Sequence, residues 1–179
     1  MQLVQPNKHY ARSYRDYIRE LGDEERYPFP LDFDDSDFDQ LLARLEDFRT
    51  GTNVPAGYVP STTFWLVDGD EILGVSNLRH FLNDRIRHAG GHIGLGVRPT
   101  QRGRRLGIRL LELTLAQAAN MGITEVHVHC YKSNHASARM IVACGGKLDS
   151  EVEVGDEVVQ RYVVELDYHN RNASKRNGL

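Results

Sequence analysis

Apolar positions along the chain change their period several times, and each change marks an element. After a short apolar opening over residues 1–6, read as a first strand ended by Pro6, Tyr10, Tyr14, Tyr17, Ile18 and Leu21 recur at helical spacing, with Gly22 as a stop. Phe38, Leu41, Leu42, Leu45 and Phe48 form one face of a second helix over residues 37–48. Ser36 with Asp39 three residues on has the form of a capping box, and Gly51 that of a stop. The period then falls to two: residues 61–67 and 71–79 read as strands around the hairpin signal Asp68-Gly69. Residues 81–88 make a polar connection with room for a helical turn, and residues 92–97 a strand that exits at Pro99.

Leu106, Leu110, Leu111, Leu113, Leu115, Ala118 and Ala119 cover more than one stripe of a long helix over residues 103–121, which suits packing against a sheet. Gly122 ends it and the β-branched run 123–131 follows, so strand, helix and strand form a crossover whose strands are expected to run parallel. A helix over residues 134–144, with Ser133 or Asn134 as N-cap and Gly145 past its end, precedes two strands, 147–154 and 157–168, joined at Gly155-Asp156. The pattern predicts an α/β fold (α+β, mixed sheet): a central twisted sheet of about seven strands with about four helices. A single domain over residues 1–168 and a polar tail over 169–179 are expected.

The length of 179 residues suits one domain with a real core. A net charge of −3 carries no general bias toward nucleic acid or a membrane surface. There is no apolar run of transmembrane length and no signal-peptide core in the first ten residues, so a cytoplasmic protein is expected. Cys130 and Cys144 fit reduced thiols better than a disulfide framework.

Charge is nevertheless concentrated at one place. Arg98, Arg102, Arg104, Arg105 and Arg109 crowd the junction between the strand at 92–97 and the long helix. Cations at a helix N-terminus oppose the peptide dipoles, an arrangement that makes sense if an anion sits among them. Free N–H groups at such a terminus, with glycines allowing close approach, form a phosphate cradle. Gly94 and Gly96 interrupt the strand, as a bulge or a close approach by a ligand or another backbone requires. A solvated basic turn with structural glycines is the bland alternative.

These residues resemble the GNAT superfamily of acetyl-CoA-dependent N-acetyltransferases. VRPTQRGRRLG (residues 97–107) is similar to the family's pyrophosphate motif, and NHASARMIVACGG (134–146) to the Asn-initiated helix that follows the fifth strand. Residues 59–80 are similar to a bacterial branch of predicted acetyltransferases. The resemblance implies acetyl-CoA as co-substrate and no metal. Its Arg/Gln-x-x-Gly-x-Gly pattern falls on Arg102, Gly103, Arg104, Arg105, Leu106 and Gly107, with Arg105 where the family has its middle Gly. Arg105 is therefore expected to keep helical dihedrals and contribute its N–H. Leu95, Gly96 and Val97 fall where the family's splayed fourth strand meets the pantetheine arm. Asn134 and Ser137 fall where the next helix meets it, Asn134 equally as a simple N-cap.

The implied chemistry is direct attack of a primary amine, of a small molecule or a peptide, on the thioester. A backbone N–H near Val97 would serve the oxyanion. The family's usual tyrosine acid is replaced by Ile141, which leaves Tyr131 as the candidate acid and His92 as the candidate base, with Asn77, Arg79 and His80 as further groups near the substrate. His127 and His129 share one strand face and Cys130 the other, so with His135 they converge poorly on a metal. The acids of residues 32–39 serve a helix N-terminus or attract a cationic acceptor. An acetyl-CoA-binding sensor without turnover is the main alternative. A nucleic-acid binder fits badly, since no aromatic platform accompanies the arginines. Many relatives dimerise, and nothing in this sequence specifies an interface.

Overall fold

The computed structural model describes residues 1–166, so the expected tail and the end of the last expected strand lie outside the described residues. The elements are β1 (Gln2–Val4), α1 (Ala11–Leu21), α2 (Phe38–Thr50), β2 (Ser61–Asp68), β3 (Glu71–Arg79), α3 (Asp84–His88), β4 (Ile93–Val97), α4 (Leu106–Asn120), β5 (Glu125–Tyr131), α5 (His135–Ala143), β6 (Lys147–Val154) and β7 (Glu157–Glu165). The seven expected strands form. The additional helix, α3, is the turn within the polar connection, started by Asn83, whose Oδ1 accepts from the Ile86 N–H at 2.9 Å.

Alternation in β2 explains its continuous apolar run. Trp65 and Val67 pack with Tyr14 and Tyr17 of α1 and Leu41 and Leu45 of α2, while Leu66, one residue out of phase, packs with Leu106 and Leu110 of α4. The sheet is thus buried on both faces. α2 begins one residue later than the capping box implied, because Asp37 accepts from the Asp39 and Gln40 N–H groups while the Ser36 N–H donates to Asp34. Gly51 closes α2 at φ +79°, as expected.

The single sheet divides in two, β1-β2-β3-β4 and β5-β7-β6. No parallel β4/β5 ladder forms among the described residues. The two strands meet through an isolated Gly91–Val128 bridge and the His92 N–H, which donates to the His127 carbonyl at 2.7 Å. What joins the sheets is burial: Leu111, Leu115 and Ala118 of α4 pack with Ile93 of β4 and with Val126 and Val128 of β5. The strands are wedged apart beyond the bridge, and β4 keeps an open edge. No helix among the described residues is long and apolar enough to cross a membrane.

Candidate active site

α4 starts at Leu106, three residues later than the apolar pattern suggested, because residues 103–105 form a turn. Gly103 takes φ +77°, and Arg105 takes φ +60°, ψ +15°. The expectation of helical dihedrals at Arg105 is therefore wrong. A left-handed backbone is needed there, and the arginine adopts it at a cost of about 1–2 kcal/mol. Left-handed residues within a turn aim neighbouring N–H groups into one concavity. The N–H groups of residues 103–108 find no acceptor among the described residues, the first helix-type bond being Arg109 N–H to the Arg105 carbonyl at 3.3 Å. Arg105→Gly is expected to raise the melting temperature by about 1–4 °C, and Arg105→Val to lower it. A thermal melt checks this, and a destabilised glycine variant would contradict the strain.

The arginines divide. Arg98, 9% exposed in its side chain, is held by Glu20 at 2.5 Å and Glu71 at 3.2 Å. Arg102 is gripped by Glu24 at 2.6 and 3.1 Å, and its Nε donates to the Val97 carbonyl. These partners hold the Glu20 and Glu24 carboxyls below the usual carboxylate range. Three of the clustered cations, Arg98, Arg102 and Arg109, thus have their anions within the chain. Arg104 donates to Gln101, Arg109 lies 3.6 Å from Glu112, and the Arg105 guanidinium makes no hydrogen bond or ion pair among the described residues.

β4 pairs with β3 through its even-numbered residues: the His92 carbonyl accepts from Arg79 N–H, and Arg98 N–H donates to Leu73. By the alternation of an antiparallel ladder, the N–H and C=O of Leu95 and Val97 face the open edge. Side chains alternate too. Gly94 and Gly96 face the segment after α1, and a Cβ at Gly96 would stand 2.4 Å from the Tyr27 carbonyl oxygen, one at Gly94 2.9 Å from the Tyr27 hydroxyl. Gly96 thus admits another backbone, and Gly94 the side chains of Tyr27 and Pro28.

Leu95, Gly96, Val97, Arg102, Gly103, Arg105, Leu106, Gly107, Asn134 and Ser137 line one cleft of about 780 Å³; Arg104 points elsewhere. A second cavity of about 320 Å³ shares Glu25, Tyr27, Leu95, Asn134 and Ser137 with it and continues to His129, Tyr131 and Val154. An amide cradle, an open strand edge and a cavity beyond it adjoin one another, which suits an extended ligand with a phosphate end.

A family model described as "Acetyltransferase (GNAT) family" matches residues 14–145. The chain belongs to the GNAT acetyltransferase family. No curated protein sequence matches this GNAT chain. Solved structures share its fold at low identity. The ribosomal-protein-S5-alanine acetyltransferase from Vibrio fischeri is 15% identical with a TM-score of 0.71, over 93% of each chain. yncA from Salmonella typhimurium, solved with its cofactor acetyl-CoA, is 18% identical with a TM-score of 0.63, over 94% of this chain and 95% of that one. A spermidine N-acetyltransferase from Vibrio cholerae is 14% identical with a TM-score of 0.64, over 92% and 95%. As a member of this family the chain is a GNAT-type acetyltransferase.

The catalytic candidates of this GNAT enzyme fare unequally. His92 lines neither cavity; it is 7% exposed, its Nδ1 accepts the His127 N–H at 3.0 Å, and burial pushes its pKa down to about 4. A base needs a free lone pair facing the amine, so His92 is corrected to a structural group at the sheet junction. Tyr131, 45% exposed, does line the second cavity. Ile141 is 1% exposed in the core and holds no acid there. Asn77 donates to Ser61 and Thr63, His80 pairs with Thr62, and Arg79 donates to the Gly90 and Gly91 carbonyls; none lines either cavity.

Among the described residues no cluster of His, Cys, Asp and Glu could hold a metal ion. His127 pairs with Glu125, and His129 Nδ1 accepts the Gly90 N–H at 3.1 Å. The acids of residues 32–39 do not line the cavities either: Asp37 caps α2, Asp39 pairs with Lys8 and Asp35 with Arg15. Glu25 and Tyr27, which do line them, carried no periodic or motif signal.

Proposed function

We propose that this enzyme acetylates a primary amine of a small molecule or peptide by direct attack in a ternary complex with acetyl-CoA. The observation that carries the reading is the run of unpaired N–H groups at residues 103–108, continuous with the open edge of β4. Those amides, with the Arg105 guanidinium, suit the diphosphate. The Leu95 N–H and C=O and the Val97 N–H suit the pantetheine amides, as an added strand would. Asn134 caps α5 through Oδ1, accepting from the Ser137 N–H at 3.0 Å, and its Nδ2 makes no hydrogen bond among the described residues, so both roles considered for it are compatible.

Acetyl-CoA supplies the acetyl thioester. An acceptor that arrives as an ammonium first gives one proton to water; the neutral amine nitrogen then bonds to the acetyl carbon, the C–S bond breaks, the nitrogen loses a second proton and CoA leaves as the thiol. In this reading an N–H on the open edge of β4 stabilises charge on the carbonyl oxygen, and Tyr131 protonates the thiolate; its position lining the second cavity supports that role.

Thermal melting with and without acetyl-CoA tests the reading. A ligand at a hundred times its Kd stabilises by about 2.7 kcal/mol, a rise of about 5–10 °C for a chain of this size. Arg105→Glu is expected to reduce the rise strongly and Arg104→Glu, outside the cleft, less. CoA thiol release with a panel of amines separates the enzyme from a sensor. No shift at millimolar acetyl-CoA would overturn the cofactor assignment.

A further inference from the structure

Three glutamates follow one another around the end of α1, and their fates differ. Glu20 is held by Arg98 and by the Thr100 hydroxyl at 2.8 Å; Glu24 is held by Arg102. The Glu25 carboxylate makes no hydrogen bond or ion pair with any described residue. Among the described residues it is also the only acid lining the second cavity.

The rest of that wall offers Glu25 no countercharge. Leu95, Val154 and Val159 are apolar, and Tyr27 and Tyr131 are aromatic. The wall's one basic residue, His129, is kept uncharged chiefly by burial, its Nδ1 engaged by Gly90. Arg79 is outside the lining and donates to the Gly90 and Gly91 carbonyls. The cavity therefore presents a single negative charge among greasy and aromatic surfaces, at the point where it joins the cofactor cleft beside Leu95. A cation brought there gains an ion pair and faces aromatic rings. A second ammonium on the same molecule would find no second acid among the lining residues.

We infer that Glu25 holds the ammonium group of the acceptor, and that the acceptor is a primary amine with one positive charge and an apolar or aromatic body. This rests on the acetyltransferase reading above. The acceptor is thereby set apart from a polyamine, whose spaced charges need several carboxylates. Glu25 sets specificity: it concentrates the amine at the mouth of the cofactor cleft, and Tyr27 and Val154 receive its body.

The test is steady-state CoA release by the full chain with phenethylamine, isopentylamine and spermidine, in the wild type, Glu25→Gln and Glu25→Asp. The wild type is expected to turn over the two single-charge amines with kcat/KM at least about tenfold above that for spermidine, and Glu25→Gln to raise their KM about tenfold or more. The same change should flatten the dependence of KM on ionic strength, and Glu25→Asp should recover part of the loss. The KM for acetyl-CoA and the melting shift it produces should stay as in the wild type. Preference for spermidine, an unchanged amine KM in Glu25→Gln, or no turnover of single-charge amines by protein that binds acetyl-CoA would each overturn the assignment. Absence of any acetyl-CoA melting shift in the wild type would instead fell the acetyltransferase reading, and this one with it.

Discussion

Replacing Arg98 with alanine is expected to lower the stability of the fold by about 3 kcal/mol, near the low end for breaking a buried ion pair. The side chain ties three parts of the molecule together. Its guanidinium reaches Glu20 through Nε at 2.9 Å and Nη2 at 2.5 Å, Ser13 at 3.3 Å and the Ile72 carbonyl at 3.4 Å, so α1, β3 and the exit of β4 share one knot. Truncation leaves Glu20 with Thr100 alone, in a site where its side chain is 26% exposed; partial access to water is why the low end applies. For a chain of this size the loss corresponds to about 6–12 °C in melting temperature. Arg98→Met with Glu20→Leu should recover much of it, because removing both partners leaves no orphaned charge. A single-variant loss below about 1 kcal/mol in urea denaturation would show that the knot is not structural.

Acid is expected to weaken the fold through two histidines at the sheet junction. His92 and His129 are each 7% exposed, and burial pushes their pKa values down to about 4 and about 3. Each Nδ1 also accepts a backbone N–H, a bond available only to the neutral ring. His127, Arg79, Arg87 and Arg161 lie close enough to oppose added positive charge, and Glu125 favours it weakly at His92. The sign follows from linkage: below pH 6.5 the unfolded chain binds protons that the folded chain refuses, so the unfolded state gains. The contribution is complete above pH 6.5 and fades as pH falls toward 4 for His92 and 3 for His129. For His92 it amounts to about 3 kcal/mol. The urea midpoint measured from pH 7 to pH 4 should fall steeply, and less steeply in His92→Asn, whose amide oxygen can accept the His127 N–H without titrating. Identical slopes for the two proteins would remove the histidines from the account.

Both expectations concern residues that read differently in the sequence. Arg98 looked like one of five cations awaiting an anion, and His92 like a titratable group on the strand beside the chemistry. The structure gives Arg98 to Glu20, 78 residues earlier, and gives His92 to the backbone of His127, 35 residues later. Sequence patterns report neighbours within a few residues, whereas these partners are set by the path of the chain. Gly94 and Gly96 show the same limit. Their demand for close approach was legible, but that the approaching group is Tyr27 depended on how the segment after α1 lies over β4.

What the sequence determined by itself is local and periodic: α1, α2, α4 and α5, the hairpins β2-β3 and β6-β7, the stops at Gly51 and Gly145, and a Gly/Arg turn opening a helix. Those features are encoded within one turn or one strand pair, where side-chain period and backbone freedom act directly. Only the tertiary structure decided that the sheet splits at β4 and β5, that Arg105 rather than glycine takes a left-handed backbone, and that Glu20 and Glu24 are engaged while Glu25 stays unpaired. The physical reason is that burial and charge pairing compare the energies of groups distant along the chain, and which of them meet is decided when the core around α4 closes.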